Sequence, residues 1–169
     1  DSIYESMSLE EKVGQLFMAS IWSKNEEEAD SVRKYIRENH IGGLIFSKGG
    51  PVKQAQLTNE FQEMSKIPLL IGMDAEWGLA MRLDSTYALP WNMTLGAIQD
   101  KKLVENAGAA ISRHTRRMGV HFNFAPVVDI NTNPDNPIIG NRSFGEDKIN
   151  VTEKALAFMR GMQREGVLS

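Results

Sequence analysis

Hydrophobic residues along this chain follow two patterns in turn, a helical spacing with polar residues between them and short unbroken runs. The first pattern is typical of an amphipathic helix, and the second is typical of a strand buried on both faces. The helical spacing predicts one helix that begins at Ser8 and others over residues 26–39, 51–65, 100–118 and 150–165. The unbroken runs predict strands at residues 16–19, 43–46, 69–74 and 122–129, and the start of another at 167–168.

Residues at the ends of these segments support the helix assignments. Ser8 and Asp100 are of the type that caps a helix N-terminus, and Pro51 suits a first helical turn. Gly119 follows the last residue of a predicted helix, where glycine commonly ends the element. The stretch 131–147 is rich in Asn and Pro, which predicts a long polar loop.

The predicted elements alternate as β, α, β, α, β, α, β, α, followed by the start of another strand. Such alternation indicates a parallel sheet with right-handed crossover connections. The sequence contains neither the Gly-rich dinucleotide-binding pattern nor the phosphate-binding loop pattern, so nothing supports a doubly wound nucleotide-binding fold. A complete (β/α)8 barrel typically needs about 250 residues. We therefore expect residues 1–169 to form a single partial domain of α/β class, the N-terminal half of a (β/α)8 TIM-type barrel.

Composition narrows the functional classes. The chain has 19 basic and 22 acidic residues and a net charge of −3, which argues against nucleic acid as a partner. It has no cysteine, which excludes a disulfide framework, a thiol nucleophile and a cysteine-ligated metal. No two of its three histidines have metal-ligand spacing, and no apolar run approaches the roughly 20 residues of a membrane span. The chain starts at Asp1 rather than Met, which favours a periplasmic or exported protein over a cytoplasmic one.

Charged residues stand where two of the predicted strands end. Asp74 closes one strand, Asp129 closes the next, and Arg142 lies in the loop beyond it. The carboxyl ends of barrel strands meet at one rim, so we expect these three residues to converge. Carboxylates accept hydrogen bonds from hydroxyl pairs and a guanidinium donates along a fixed fork, a combination that suits a polyol or a sugar. Trp77 offers an apolar ring face to a pyranose.

Each of these residues also has a structural interpretation. Asp74 can instead cap the following loop or pair with Arg82, and Asp129 can hold the long loop by hydrogen bonds to its backbone. Glu76 fits an ion pair with a neighbouring arginine better than a contact with a ligand. Trp77 can pack against other side chains rather than face a sugar.

Five segments carry a resemblance to a known family. They are MSLEEKVGQL (7–16), IGGLIF (41–46), IGMDAEWG (71–78), FAPVVDI (124–130) and IGNRSFG (139–145). In this order they resemble the N-terminal barrel domain of glycoside hydrolase family 3, especially its β-N-acetylhexosaminidase branch. Each segment alone is weak evidence, whereas the five in order are specific and cover nearly the whole chain.

The resemblance implies a retaining glycosidase that, as a full-length enzyme, releases terminal β-linked N-acetylglucosamine from a glycan or muropeptide. It implies that Asp74 and Arg142 bind hydroxyl groups of the sugar at the non-reducing end. Further substrate-binding candidates are Glu76, Trp77, Arg82 and Asp129.

The family's catalytic groups do not match any position of this chain. Its acid/base dyad and its nucleophilic aspartate belong to segments beyond Ser169, so we assign no catalytic residue here and expect the isolated chain to be inactive. The resemblance implies no metal and no organic cofactor, and the expected partners are the substrate and the remainder of the barrel or a parent chain. Two alternatives stay open: a β-glucosidase or β-xylosidase of the same family, and a non-catalytic sugar-binding or scaffold barrel.

Overall fold

Four parallel strands lie side by side in chain order in the computed structural model, which describes residues 2–169. The strands are β1 (Met18–Trp22), β2 (Gly43–Lys48), β3 (Leu70–Met73) and β4 (Phe122–Asn123). The helices are α1 (Ser2–Ser6), α2 (Leu9–Gly14), α3 (Glu26–Asn39), α4 (Pro51–Met64), α5 (Asn92–Ala97), α6 (Lys101–Arg117) and α7 (Lys148–Arg164). Two short 3-10 turns cover Leu79–Met81 and Gly140–Arg142.

The order of the strands identifies the class of sheet. Helix α3 connects β1 to β2, α4 connects β2 to β3, α5 and α6 connect β3 to β4, and α7 follows β4. Right-handed crossovers between successive neighbours place the connecting helices on one face, whereas a doubly wound sheet reverses its strand order. Leu168 forms a single parallel bridge with Phe122, so a fifth strand begins beside β4. The predicted α/β class, with parallel strands alternating with helices in the order of a barrel, is confirmed.

The long helices cover one face of this sheet. Their core cluster includes strand side chains that are 0% exposed, namely Ile21, Leu44, Phe46, Ile71 and Met73. The opposite face carries Leu70, which is 41% exposed, and Phe124, which is 43% exposed and lies close to Gly72 of the same strand as Leu70. The prediction that the strand at residues 69–74 is buried on both faces is therefore wrong for Leu70, because α3, α4, α6 and α7 all pack on the covered face.

The predicted helix caps are confirmed. Ser8 and Glu11 form a capping box on α2, in which the Ser8 hydroxyl accepts the Glu11 N–H at 3.2 Å and the Glu11 carboxylate accepts the Ser8 N–H at 2.8 Å. Asp100 caps α6 by accepting the N–H of Lys102 at 2.9 Å. These bonds satisfy amide groups that the first turn of a helix leaves without partners.

The strand predicted over residues 122–129 is wrong beyond Asn123. The N–H of Ala125 bends back to the carbonyl of Asn123 at 2.8 Å instead of continuing the ladder. Pro126, which follows a cis peptide bond, has no N–H to donate. The chain therefore leaves the sheet two residues after β4 begins and runs without strand structure to the turn at Gly140–Arg142.

Helices α6 and α7 approach closely because a glycine of each faces the main chain of the other. A Cβ atom at Gly108 would lie 2.3 Å from the carbonyl oxygen of Phe158. A Cβ atom at Gly161 would lie 2.0 Å from the carbonyl oxygen of Glu105. Both distances are far below van der Waals contact, so neither position accepts a side chain unless the helices move apart.

Substitution of Gly108 tests this contact. We expect Gly108→Ala to lower the free energy of unfolding by about 1–3 kcal/mol, because overpacking outweighs the better helix propensity of alanine. The measurement is denaturant unfolding. Gly50→Ala is the control, since a Cβ at Gly50 meets nothing within 4 Å, and an equal effect of the two substitutions would contradict the close approach of α6 and α7.

A forked ion pair links α3 to α4. The Nε of Arg33 lies 2.5 Å from Oε1 of Glu60, and its Nη2 lies 3.1 Å from Oε2. Hydrogen bonding from Arg33 lowers the pKa of the Glu60 carboxyl from its ordinary value, although burial acts in the opposite direction. A carboxyl whose pKa is lowered by folding stabilises the protein at pH values above its unfolded pKa. This stabilisation is lost as the pH falls through the folded pKa.

This linkage predicts a pH-dependent effect of Glu60→Gln. At pH 7 we expect the substitution to destabilise the protein by up to about 1 kcal/mol, because the pair is partly exposed. The difference from the wild type should shrink as the pH falls below the unfolded pKa of a glutamate, about 4.3, and through the lower pKa of the folded carboxyl. The measurement is the free energy of unfolding across this pH range. Glu63→Gln, on the exposed side of α4, is the control. A difference between Glu60→Gln and the wild type that does not change with pH would argue against the Arg33–Glu60 pair.

Candidate functional site

The loop that follows β3 begins with an acidic residue held by an arginine. Asp74 comes directly after the fully buried Met73, and its side chain is 34% exposed. The Nη2 of Arg82 lies 2.5 Å from Oδ2 of Asp74, and the Nε of Arg82 donates to the main-chain carbonyl of Asp74 at 3.3 Å. The structure thus contains the Asp74–Arg82 pair that the sequence left as one interpretation.

A second acid–arginine pair joins this loop to the loop after β4. Glu76 is 3% exposed, and Arg142 donates to its carboxylate from Nη2 at 2.8 Å and from Nε at 3.1 Å. The expected ion pair of Glu76 with an arginine is therefore present. Arg142 and Asp74 do not bind each other, because each is held by a different residue.

Three acidic residues of the rim raise the pKa of Arg142. The hydrogen bonds that Arg142 donates to Glu76 contribute most, and the charges of Glu76, Asp129 and Asp74 add to them. The structure thus brings Asp74, Asp129 and Arg142 close enough to interact electrostatically, at the carboxyl ends of β3 and β4. This is the end of the strands at which barrel enzymes hold their substrates.

Polar groups at this rim remain available to a ligand. Oδ1 of Asp74 accepts no hydrogen bond from any residue between 2 and 169. Arg142 commits Nε and Nη2 to Glu76, whereas Nη1 makes only a 3.4 Å contact with the carbonyl of Ile138. A carboxylate oxygen and a guanidinium edge are the acceptor and the donor that a pair of sugar hydroxyls needs.

Trp77 has one ring face against another tryptophan. Its ring stacks on that of Trp91, with 4.3 Å between the centroids and 7° between the planes. Trp77 is half-buried and Trp91 is 43% exposed. The packing interpretation of Trp77 therefore accounts for one face of its ring, and Trp91 joins the rim without having been predicted.

Asp129 does not hold the long loop through its carboxylate. Its main-chain carbonyl accepts the hydroxyl of Ser143 at 2.6 Å, and Ser143 also bonds Gly145. Within residues 2–169 the Asp129 side chain makes no hydrogen bond and is exposed. The loop is therefore fastened by the buried Ser143.

Two buried asparagines contact the main chain of these loops, and the sequence had not singled them out. Asn123 bonds the backbone of Ala75, and Asn92 bonds the carbonyl of Arg142. One signal was present for Asn123: it is a polar residue inside an apolar run, and a buried polar side chain needs a partner.

The described part of the chain contains no group of three or more His, Cys, Asp or Glu residues arranged to hold a metal ion. Over residues 2–169 there is also no helix that is long and apolar enough to cross a bilayer. A cavity of about 700 Å³ lies at the opposite end of the strands, between α2, α3 and β1, and its lining is mostly apolar. A cavity of about 440 Å³ lies at the rim, where Arg82 and Asp84 contribute to its wall.

Comparison with known proteins matches residues 8–169 to the family model described as Glycosyl hydrolase family 3 N terminal domain. The chain is 36% identical to β-hexosaminidase A of Pseudoalteromonas piscicida over 142 residues, which are 76% of this chain and 24% of that protein. It is similar to a solved glycoside hydrolase family 3 β-N-acetylglucosaminidase from Paenibacillus sp. str. FPU-7, with 38% identity and a TM-score of 0.86, over 96% of this chain and 32% of that one.

A solved β-glucoside phosphorylase, BglX bound to 2FGlc, is also similar, with 28% identity and a TM-score of 0.90, over 99% of this chain and 30% of that one. The chain spans between 24% and 32% of the length of these three relatives. The fold is therefore shared over nearly the whole chain with a part of each longer protein.

The Glu76–Arg142 pair yields a stability prediction. We expect Glu76→Gln to lower the free energy of unfolding by about 1–3 kcal/mol, because a buried charged acceptor is lost and Arg142 keeps no equivalent partner. Denaturant unfolding measures the change. Asp84→Asn breaks the largely exposed pair with Lys24 and should cost less than about 0.5 kcal/mol, so similar costs for the two variants would contradict a special role of the buried pair.

Proposed function

Because the chain belongs to the family described as the glycosyl hydrolase family 3 N-terminal domain, we propose that it forms the sugar-binding part of a retaining glycosidase. The proposed reaction is the release of terminal β-linked N-acetylglucosamine from a glycan or muropeptide. Relatives named β-hexosaminidase A and β-N-acetylglucosaminidase support this substrate class. The observation that carries the proposal is at the carboxyl end of the sheet, where Asp74 keeps an oxygen that accepts no hydrogen bond within residues 2–169 and its charge acts on Arg142.

The arrangement of the rim suits binding rather than bond cleavage. Asp74 and Glu76 are each engaged by an arginine, so both carboxylates are held in fixed positions as hydrogen-bond acceptors. In the proposed site, Oδ1 of Asp74 accepts from sugar hydroxyls and the free edge of Arg142 donates to them. Each such hydrogen bond to a charged group contributes about 1.5–3 kcal/mol.

Retaining hydrolysis also needs two acting groups, commonly carboxyl groups about 5–5.5 Å apart on either side of the glycosidic bond. We assign neither of them to residues 1–169, and we place both in the longer protein. Within this chain, Arg82 and Glu76 would hold the two sugar-binding residues in position.

A β-glucosidase or β-xylosidase of the same family is the second candidate. The observation that favours it is the TM-score of 0.90 with a structure named as a β-glucoside phosphorylase. Glucose and N-acetylglucosamine share the hydroxyls that Asp74 and Arg142 would bind, and they differ in the group at C2. A panel of aryl glycosides distinguishes the two candidates.

Substitution of Asp74 tests the proposed function in the complete protein that carries this chain. We expect Asp74→Ala to lower kcat/KM for an aryl β-N-acetylglucosaminide by about 10- to 100-fold or more, because a charged hydrogen bond to the sugar is lost. Asp135→Ala is the matched control, since Asp135 is an exposed loop carboxylate whose side chain bonds no residue in the range 2–169.

The outcomes separate the candidates. Unchanged turnover by Asp74→Ala would refute the role of Asp74. Preferred hydrolysis of the aryl β-glucoside or β-xyloside would favour the second candidate. Sugar binding without hydrolysis of any substrate in the panel would favour a non-catalytic sugar-binding barrel.

A further inference from the structure

The side chain of Asn123 hydrogen-bonds the main chain of Ala75, the residue between Asp74 and Glu76. It is 0% exposed, its Oδ1 accepts the N–H of Ala75 at 2.9 Å, and its Nδ2 donates to the carbonyl of Ala75 at 3.3 Å. One side chain thus fixes both polar groups of a single residue, an arrangement called an amide clamp below. Ala75 lies between Asp74 and Glu76, so the clamp fixes the directions in which both carboxylates leave the backbone.

The clamp replaces strand pairing that is missing at this point. The ladder between β3 and β4 ends at the pair Met73 and Asn123, because Ala125 bonds back to Asn123 and Pro126 has no N–H. The N–H of Ala75 is then left without a strand partner, and a buried amide without a partner is costly. The Asn123 side chain extends the hydrogen bonding to Ala75, two residues beyond the end of β3, and Ala75 is the residue that separates the two acids.

Asn92 fixes the other side of the rim. It is 2% exposed, lies on α5, and donates from Nδ2 to the main-chain carbonyl of Arg142 at 2.7 Å. Its Oδ1 is buried and has no partner among residues 2–169. An unpartnered buried oxygen costs stability, so an apolar side chain of similar size would pack there with less penalty. The contribution of an amide side chain at position 92 is therefore its hydrogen bond to Arg142, and not better packing.

The two amides act on one connected unit. Asn123 holds the segment that contains Asp74 and Glu76, and Asn92 holds the backbone of Arg142. The Arg142 guanidinium in turn donates from Nη2 and Nε to the Glu76 carboxylate. A displacement of either backbone would move the free oxygen of Asp74 relative to the free edge of Arg142. Misplacement by about 1 Å is enough to lower a rate by roughly 100-fold in a preorganised site.

We propose that Asn123 and Asn92 are positioning residues of the sugar site, which set the distance and angle between Asp74 and Arg142 without touching the sugar. This inference rests on the proposed function, because it assigns the residues to the same site. It predicts that the two amides affect binding and turnover through Asp74 and Arg142, and not through the stability of the fold alone.

The chain offers a matched control for Asn123 at the other end of β3, from Gln62 of α4. Gln62 forms an amide clamp on Leu69, accepting its N–H at 2.8 Å and donating to its carbonyl at 2.9 Å, at the opposite end of β3. Asn123→Asp and Gln62→Glu make the same chemical change in the two clamps, since each places a carboxylate oxygen against a carbonyl. Only the clamp of Asn123 adjoins the proposed site.

The experiment measures three quantities in the complete protein: the unfolding temperature, kcat/KM for an aryl β-N-acetylglucosaminide, and the Kd of free N-acetylglucosamine by calorimetry. We expect both variants to lower the unfolding temperature. Asn123→Asp should lower kcat/KM by at least tenfold and weaken sugar binding in parallel, whereas Gln62→Glu should leave both within about twofold of the wild type.

A double-mutant cycle tests whether Asn123 acts through Asp74. In the Asp74→Ala background we expect Asn123→Asp to reduce kcat/KM by a smaller factor than in the wild type, because one of the two carboxylates that it positions is absent. An equal loss in both backgrounds, or folded Asn123→Asp with wild-type kcat/KM and Kd, would overturn the inference for Asn123.

Asn92→Leu supplies a second test that does not depend on whether Asn123→Asp folds. We expect it to leave the unfolding temperature nearly unchanged, because it also removes the unpartnered oxygen, and to lower kcat/KM by about 3- to 30-fold. The loss should disappear in the Arg142→Ala background. Wild-type kinetics for folded Asn92→Leu would overturn the role of Asn92.

These results are separable from a failure of the proposed function. If the wild type hydrolyses the substrate and Asp74→Ala impairs it, but the asparagine variants do not, the inference fails alone. If the wild type neither hydrolyses any glycoside of the panel nor binds the sugar, the proposed function and the inference fail together.

Discussion

The ion pair between Glu76 and Arg142 joins two loops whose contacting residues are 66 positions apart in the chain, and the rest of the rim is arranged around it. Glu76 is almost fully buried, and a buried carboxylate is tolerated only where a partner of good geometry compensates for lost hydration. The forked guanidinium meets that requirement. Once its Nε and Nη2 are committed to Glu76, the remaining edge of Arg142 has a fixed orientation, and Arg82 fixes Asp74 in a similar way.

Most of the fold was predictable because the long helices combine a clear apolar face with capping residues. The helix over 26–39 has the predicted bounds, α4 begins as predicted and ends one residue earlier, and α6 and α7 differ from prediction by one or two residues at each end. The strand predicted over 122–129 failed because its apolar composition continues after Ala125 has turned out of the sheet. Helices α1 and α5, with five and six residues, are too short to show a helical period and were not predicted.

The site was predictable only in part, because most of its contacts join segments that are far apart in the chain. Asp74 and Arg142 stand out because charges follow apolar runs, and the sequence also allows the pair of Asp74 with Arg82 and a pair of Glu76 with an arginine. Which arginine binds which acid depends on the three-dimensional course of two loops, and the spacing of residues along the chain does not determine it. The bonds of Asn92 and Asn123 also join distant segments, so a single sequence shows the residues but not their partners.

The aromatic residues at this end of the sheet give the protein an internal optical probe. All three of its tryptophans lie there: Trp22 ends β1, Trp77 follows β3, and Trp91 stacks on Trp77. Intrinsic tryptophan emission therefore comes entirely from the rim, and two parallel indole rings at 4.3 Å are close enough to couple electronically. Near-ultraviolet dichroism and fluorescence consequently report the geometry of the rim without any label, whereas far-ultraviolet dichroism reports the helices, so the two spectral regions follow different parts of the same molecule.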